Sequence, residues 1–224
     1  DIMVEKIMHR QGLVDKYIGD AIMAIFGAPS RDPDCAYHAV LAALDMLDGL
    51  AEFNTHQVEK GRKLVDIGIG INFGSVTVGN IGTERKMEYT VIGDRVNTAS
   101  RLEGLTKFYH QPILISDTIH ERLKGRVPCR FVDKVVPKGK SEIIPIYAVK
   151  RSLAEKEAEA WRIHETAVSR YFDRDFTGSL DLFSQAAELL PQDFIIQNYI
   201  FCCRGLKQAP PPPEWTGAVV FDAK

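Results

Sequence analysis

Two short apolar runs, Leu13–Ile18 and residues 21–26, are separated by Gly19 and Asp20 alone. A two-residue connection joins antiparallel neighbours, because a parallel pair needs a crossover of a dozen residues or more. The fold is therefore built around a tight β-hairpin with helical sequence on both sides. Residues 2–11 place Ile2, Met3, Ile7 and Met8 on one helical stripe, and residues 34–59 carry a long helical pattern introduced by Asp32-Pro33.

Further along, residues 65–79 alternate apolar and small side chains, as a strand does, and residues 87–92 read as another strand. Residues 94–109 read as a helix with Asp94 as its N-cap. Strands are expected at 113–116, 130–136 and 144–149, with a short helix near 117–123. Strands and helices joined by hairpins as well as crossovers specify an α+β sandwich that ends near Val149.

From Ser152 the strand texture stops. Residues 161–191 resemble one tetratricopeptide-type helix pair, with Ala167, Ser179, Phe183, Ala186 and Pro191 at its small, aromatic and proline positions. A third helix over 192–206 would cap it. One such unit is too small for a solenoid and must lean on the first domain or on a protein partner. Pro210 to Pro213 read as an extended spacer rather than an SH3-type ligand, and Trp215 beyond them needs a place to bury its ring. The expected organisation is a domain over 1–150, helices over 151–207 and a proline-rich tail over 208–224.

Composition excludes several classes. With 28 basic and 30 acidic residues the net charge is −2, without the basic excess of a nucleic-acid binder. The apolar runs are far shorter than the roughly 18 residues of a membrane span, so this stretch does not cross a bilayer. Cys35, Cys129, Cys202 and Cys203 form no Cys-x-x-Cys and read as reduced thiols of a cytoplasmic protein. A chain that starts at Asp1 rather than methionine is expected to be a piece of something longer.

The glycines of Gly68-Ile-Gly70-Ile-Asn-Phe-Gly74 are one residue out of step with a dinucleotide fingerprint, and strand sequence follows them. The 94–109 helix is more informative. Asn97 and Arg101 lie within about 40° of each other, opposite Val96, Ala99 and Leu102, so an amide and a guanidinium can reach one anionic ligand. Lys16 and Asp20 flank Tyr17-Ile18-Gly19, and a carboxylate at a hairpin tip can ligate magnesium alongside substrate phosphates. His9, His38, His56, His110, His120 and His164 show no His-x-x-x-His pair and are expected at the surface or at caps.

Together, Val14-Asp-Lys16-Tyr-Ile-Gly-Asp20-Ala-Ile-Met-Ala-Ile-Phe-Gly27, Glu88-Tyr-Thr90-Val-Ile-Gly-Asp-Arg-Val-Asn97-Thr-Ala-Ser-Arg101-Leu-Glu103 and Pro137-Lys138-Gly-Lys140 running into Tyr147 resemble the class III nucleotidyl cyclases, bacterial type, over residues 1–150. The resemblance implies a ferredoxin-like sandwich of mixed, mostly antiparallel sheet and helices. It also implies conversion of a nucleoside triphosphate to its 3′,5′-cyclic monophosphate and pyrophosphate, at the interface of a head-to-tail homodimer. Asp20 matches one of two metal-binding aspartates, which together hold two divalent cations, Mg2+ or Mn2+. Arg101 matches the arginine that stabilises the α-phosphate, Asn97 the residue that positions the ribose, and Arg85 and Lys138 the cationic contacts to the triphosphate. Lys16 and Thr90 match the residues that read the base.

Lys16 carries only donors and suits adenine N1, an acceptor, rather than guanine N1, a donor. Thr90 can donate or accept, and so tolerates more. ATP is the expected substrate, with a guanylate or mixed-specificity cyclase as one alternative and a catalytically silent nucleotide-binding module as another. The family's first metal aspartate belongs to an opening strand, whereas Asp1 lies 19 positions before Asp20 in helical sequence. That strand is absent from this stretch, which alone is expected to be inactive. The C-terminal helices and the Pro-Pro-x-x-Trp-x-Gly element also resemble extensions found on some bacterial cyclases.

Overall fold

A computed structural model describes residues 1–137 and 142–221. The chain forms two compact units, Asp1–Thr106 with Pro112–Lys124, and Lys107–Gln111 with Gly125–Lys224. Both mix helix and strand.

In the first unit α1 (Ile2–His9) precedes the hairpin of β1 (Leu13–Ile18) and β2 (Ala21–Ile25). Gly19 takes φ +63° at the first loop position, a left-handed conformation that glycine adopts without steric cost, and antiparallel pairing runs back to Leu13↔Ile25. Between Val14 and Lys16 the register slips, which leaves Asp15 as a bulge. The long α2 (Cys35–Glu59) buries Val40, Ala42, Ala43 and Leu44, and Arg10 ties α1 to it through a 2.6 Å ion pair with Asp45.

The strand expected over 65–79 is two strands. β3 (Ile69–Ile71) and β4 (Thr77–Thr83) are separated where Asn72 donates to the Arg95 carbonyl and Thr118 to that of Phe73, drawing the chain out of extended pairing. β4 pairs antiparallel with β5 (Lys86–Ile92), Thr83 facing Lys86 across the loop of Glu84 and Arg85. Next comes α3 (Asp94–Tyr109), of which Asp94 is the first helical residue rather than the N-cap. β6 (Ile113–Ser116) pairs parallel with β3, and α4 (Asp117–Leu123) follows.

The glycine of β3, Gly70, serves packing. A Cβ on Gly70 would lie 2.2 Å from the Ala99 carbonyl oxygen and 2.3 Å from the Glu103 nitrogen, so the α3 backbone rests directly on the strand. This contact seats α3 and its outward residues.

In the second unit β7 (Cys129–Pro137) pairs antiparallel with β8 (Ile144–Val149). Three helices follow: α5 (Glu155–Phe172), α6 (Phe176–Leu189) and α7 (Phe194–Gln208). Asp175 and Asp193 cap α6 and α7, each accepting from a backbone N–H three residues on. Ala167, Ser179, Phe183 and Ala186 are fully buried. The helices lean on β7: Arg130 pairs with Asp193 at 2.8 Å, and Lys134 stands 3.7 Å from the centre of the Phe172 ring.

Two expectations change here. His164 is not at the surface but fully buried, its Nε2 2.9 Å from the Phe131 carbonyl oxygen; burial pushes its pKa down to about 3 and keeps the ring neutral. The proline run is not a free spacer. Arg174 donates to the carbonyls of Pro211, Pro212 and Pro213, Trp215 packs against Tyr171, Phe172 and Phe176, and β9 (Val219–Phe221) pairs parallel with β7.

Candidate active site

The β1–β2 hairpin and β5 place the two expected base-reading residues, Lys16 and Thr90, on one group. Asp15 has a side chain with no exposed surface. Its Oδ2 accepts the Thr90 hydroxyl at 2.9 Å and lies 3.9 Å from the Lys16 ammonium. Lys16 also donates to Glu88 at 3.2 Å, and Glu88 pairs with Lys86 at the same distance. The ammonium groups of Lys86 and Lys16 hold the Glu88 carboxyl below the usual carboxylate range. Thr90 is buried and Lys16 half-buried, so an ammonium and a hydroxyl stand side by side on a dry carboxylate.

Asp20 occupies the second position of the hairpin loop, exposed. Asn97 and Arg101 are both exposed on α3, one turn apart, while Thr98, Leu102, Leu105 and Thr106 are buried. The helical face inferred from spacing is therefore the outward one. Arg85 is exposed at the β4–β5 tip, roughly 17 Å along the strand from Thr90 at about 3.4 Å per residue. The structure does not bring it to the Lys16–Thr90 pair. Lys138 lies outside the described residues.

Sequence reasoning passed over Asp15 and Glu88. Simple alternation along β1 gives no reason to turn Asp15 inward, because the bulge that does so has no local sequence signature. Glu88 was readable only as a charge two positions before Thr90.

Among the described residues no group of three or more His, Cys, Asp or Glu side chains is placed to hold a metal ion. Magnesium needs no such group: it takes one or two carboxylates and keeps waters and substrate phosphates as its other ligands. A carboxylate at an exposed tight turn meets that requirement, and Asp20 fits it.

Residues 5–151 match the family described as the adenylate and guanylate cyclase catalytic domain. The chain belongs to that family. It is 44% identical over 143 residues to an adenylate cyclase of Anabaena cylindrica, covering 62% of this chain and 28% of that protein. The chain thus spans under a third of the length of this relative. Among solved structures it is similar to the adenylyl cyclase CyaB of P. aeruginosa, at 33% identity and a TM-score of 0.62, covering 68% of this chain and 79% of that one. It is also similar to the guanylyl cyclase Cya2, at 36% identity and a TM-score of 0.59, covering 68% and 76%. The mixed α+β cyclase fold is common to this chain and both of these structures. No helix among the described residues is long and apolar enough to cross a membrane.

Proposed function

We propose that this cyclase domain converts ATP to 3′,5′-cyclic AMP and pyrophosphate. The observation that carries the choice of base is the pair of Lys16 and Thr90 on buried Asp15. The ammonium donates to adenine N1, and the threonine meets the exocyclic group beside it. Asn97 orients the ribose so that its 3′-oxygen stands in line with the α-phosphorus. The 3′-hydroxyl gives up its proton to solvent, the O3′–P bond forms as the bond from the α-phosphorus to the bridging oxygen breaks, and pyrophosphate leaves. Arg101, one helical turn from Asn97, donates to the α-phosphate oxygens as charge gathers there. Arg85 and Lys138 are the further cationic contacts to the triphosphate.

Asp20 is the residue of this chain that would hold the two divalent cations, Mg2+ or Mn2+, together with a second aspartate from the family's opening strand. Bound there, the cations neutralise the phosphates and favour ionisation of the attacking hydroxyl. The site is completed in a head-to-tail homodimer. Tyr17, Ile18, Met87, Tyr89 and Ile92 are all exposed on β1 and β5, apolar side chains of the kind that subunit contacts cover.

Residues 151–207 form a tetratricopeptide-like brace rather than a detached module, because the Arg130–Asp193 and His164–Phe131 bonds join the helices to β7. They remain available to a protein partner through exposed Phe201. Four free thiols fit a cytoplasmic location.

Similarity to the guanylyl cyclase Cya2 keeps GTP as the second reading. A Lys16→Glu variant separates the two, because a carboxylate accepts from guanine N1 and repels adenine N1. ATP turnover should fall at least tenfold while GTP turnover rises. Undiminished ATP turnover would remove the adenine assignment.

A further inference from the structure

Asp15 has no part in the reaction just described, yet it is the most completely buried charged side chain at the site. It sits at the β1 bulge, between the Val14↔Ala24 and Lys16↔Met23 pairs, and so faces no residue across the hairpin. One carboxylate oxygen receives the Thr90 hydroxyl at 2.9 Å, while the other, Oδ1, is buried with no hydrogen-bond partner. An unsatisfied buried oxygen is a cost to folding, so stability does not explain the residue. Bulges beside active sites re-aim side chains, and this one aims a carboxylate at Thr90.

A hydroxyl has one proton and two lone pairs. With its proton committed to Asp15, Thr90 offers a ligand only lone pairs. Lys16, next to it, offers only protons. The pair therefore reads as a donor beside an acceptor. Adenine presents the complement, an acceptor at N1 and a donor at the 6-amino group. Guanine presents a donor at N1 and an acceptor at O6, opposed at both points.

We propose that Asp15 is a positioning residue for base selection: it fixes the hydrogen-bond polarity of Thr90, so that the site takes a 6-aminopurine nucleotide and rejects a 6-oxopurine one. The inference rests on the assignment of Lys16 and Thr90 to the base. It removes the tolerance that a freely rotating threonine hydroxyl would have.

Two measurements on the full-length protein test it. The first needs no substitution. Purine riboside triphosphate keeps N1 and lacks the 6-amino group, and should be used about tenfold less well than ATP in kcat/KM, the worth of one hydrogen bond. Equal use would overturn the proposal.

The second compares ATP and GTP in Asp15→Asn and Thr90→Val. The asparagine amide can donate to Thr90 and free its proton to meet O6. The ATP preference should then fall about tenfold in both variants, and the penalty on purine riboside triphosphate should disappear. A preference that falls in Thr90→Val but holds in Asp15→Asn overturns the role of Asp15 and leaves the base assignment standing. One that holds in both overturns the base assignment, and the inference with it. A purely structural Asp15 would lower both turnovers together at constant ratio, which also overturns the proposal. Should Asp15→Asn fail to fold, the same ATP-to-GTP comparison in Asp15→Ala decides in its place, because it too frees the Thr90 proton: a fall of about tenfold is expected, and an unchanged preference overturns the role of Asp15.

Discussion

Tyr109 donates its hydroxyl to Asp133 across 2.7 Å, joining the last turn of α3 to β7 inside the second compact unit. Asp133 is 7% exposed, and burial pushes its pKa up to about 6 despite that hydrogen bond. The folded chain therefore holds a proton here that the unfolded chain releases near 3.8. Stability from this group is fully present below that value and is lost as pH rises through about 6.

Asp133→Asn removes the slope. The stability of the variant relative to the parent should increase by about 2 kcal/mol between pH 4 and 7, read from denaturant midpoints. His164 contributes the opposite trend in both proteins, because its lowered pKa of about 3 makes stability fall as pH drops below 6.5. The difference between variant and parent isolates Asp133. A pH-independent difference would contradict the buried-acid assignment.

Gly70 and Gly104 should respond to alanine with opposite signs. At Gly70 the added Cβ meets the α3 backbone at 2.2 Å, and overpacking of this kind costs about 2 kcal/mol. At Gly104, within α3, it meets nothing within 4 Å, and alanine should stabilise the helix by about 0.8 kcal/mol. Because α3 also presents Asn97 and Arg101, Gly70→Ala should lower kcat as well. Equal effects at the two sites would contradict the close strand–helix contact.

The C-terminal tail should be released by Trp215→Ala. The substitution empties the place between Tyr171, Phe172 and Phe176, and Arg174 then holds the proline carbonyls without a packed anchor behind them. Amides of β9 should lose hydrogen-exchange protection, while α5 and α6 keep theirs. Unchanged exchange at Val219–Phe221 would show that strand pairing with β7 alone secures the tail.

These cases mark what the chain makes legible. The β1–β2 hairpin follows from two apolar runs two residues apart, and the outward face of α3 from the spacing of Asn97 and Arg101. Both are local patterns. The Asp15 bulge is not, because one extra residue in a strand leaves the composition unchanged. β9 has three residues after a proline run, and only its distant partner β7 makes it a strand. His164 looks like a surface residue among the charges of α5, and the Phe131 carbonyl that takes it inside comes from another element. Gly70 of β3 announces a close approach but not to what; a helix backbone, not a phosphate, answers.

The central claim is tested most directly by cyclic AMP formation from ATP with Mg2+ or Mn2+ in the full-length protein, alongside Arg101→Ala. Cyclic AMP and pyrophosphate should appear in equal amounts, and the variant should lose about a hundredfold in kcat, roughly 3 kcal/mol of transition-state stabilisation, while still dimerising and binding ATP. A protein that dimerises and binds ATP but forms no cyclic nucleotide would contradict the catalytic reading and make the domain a nucleotide-binding regulatory module.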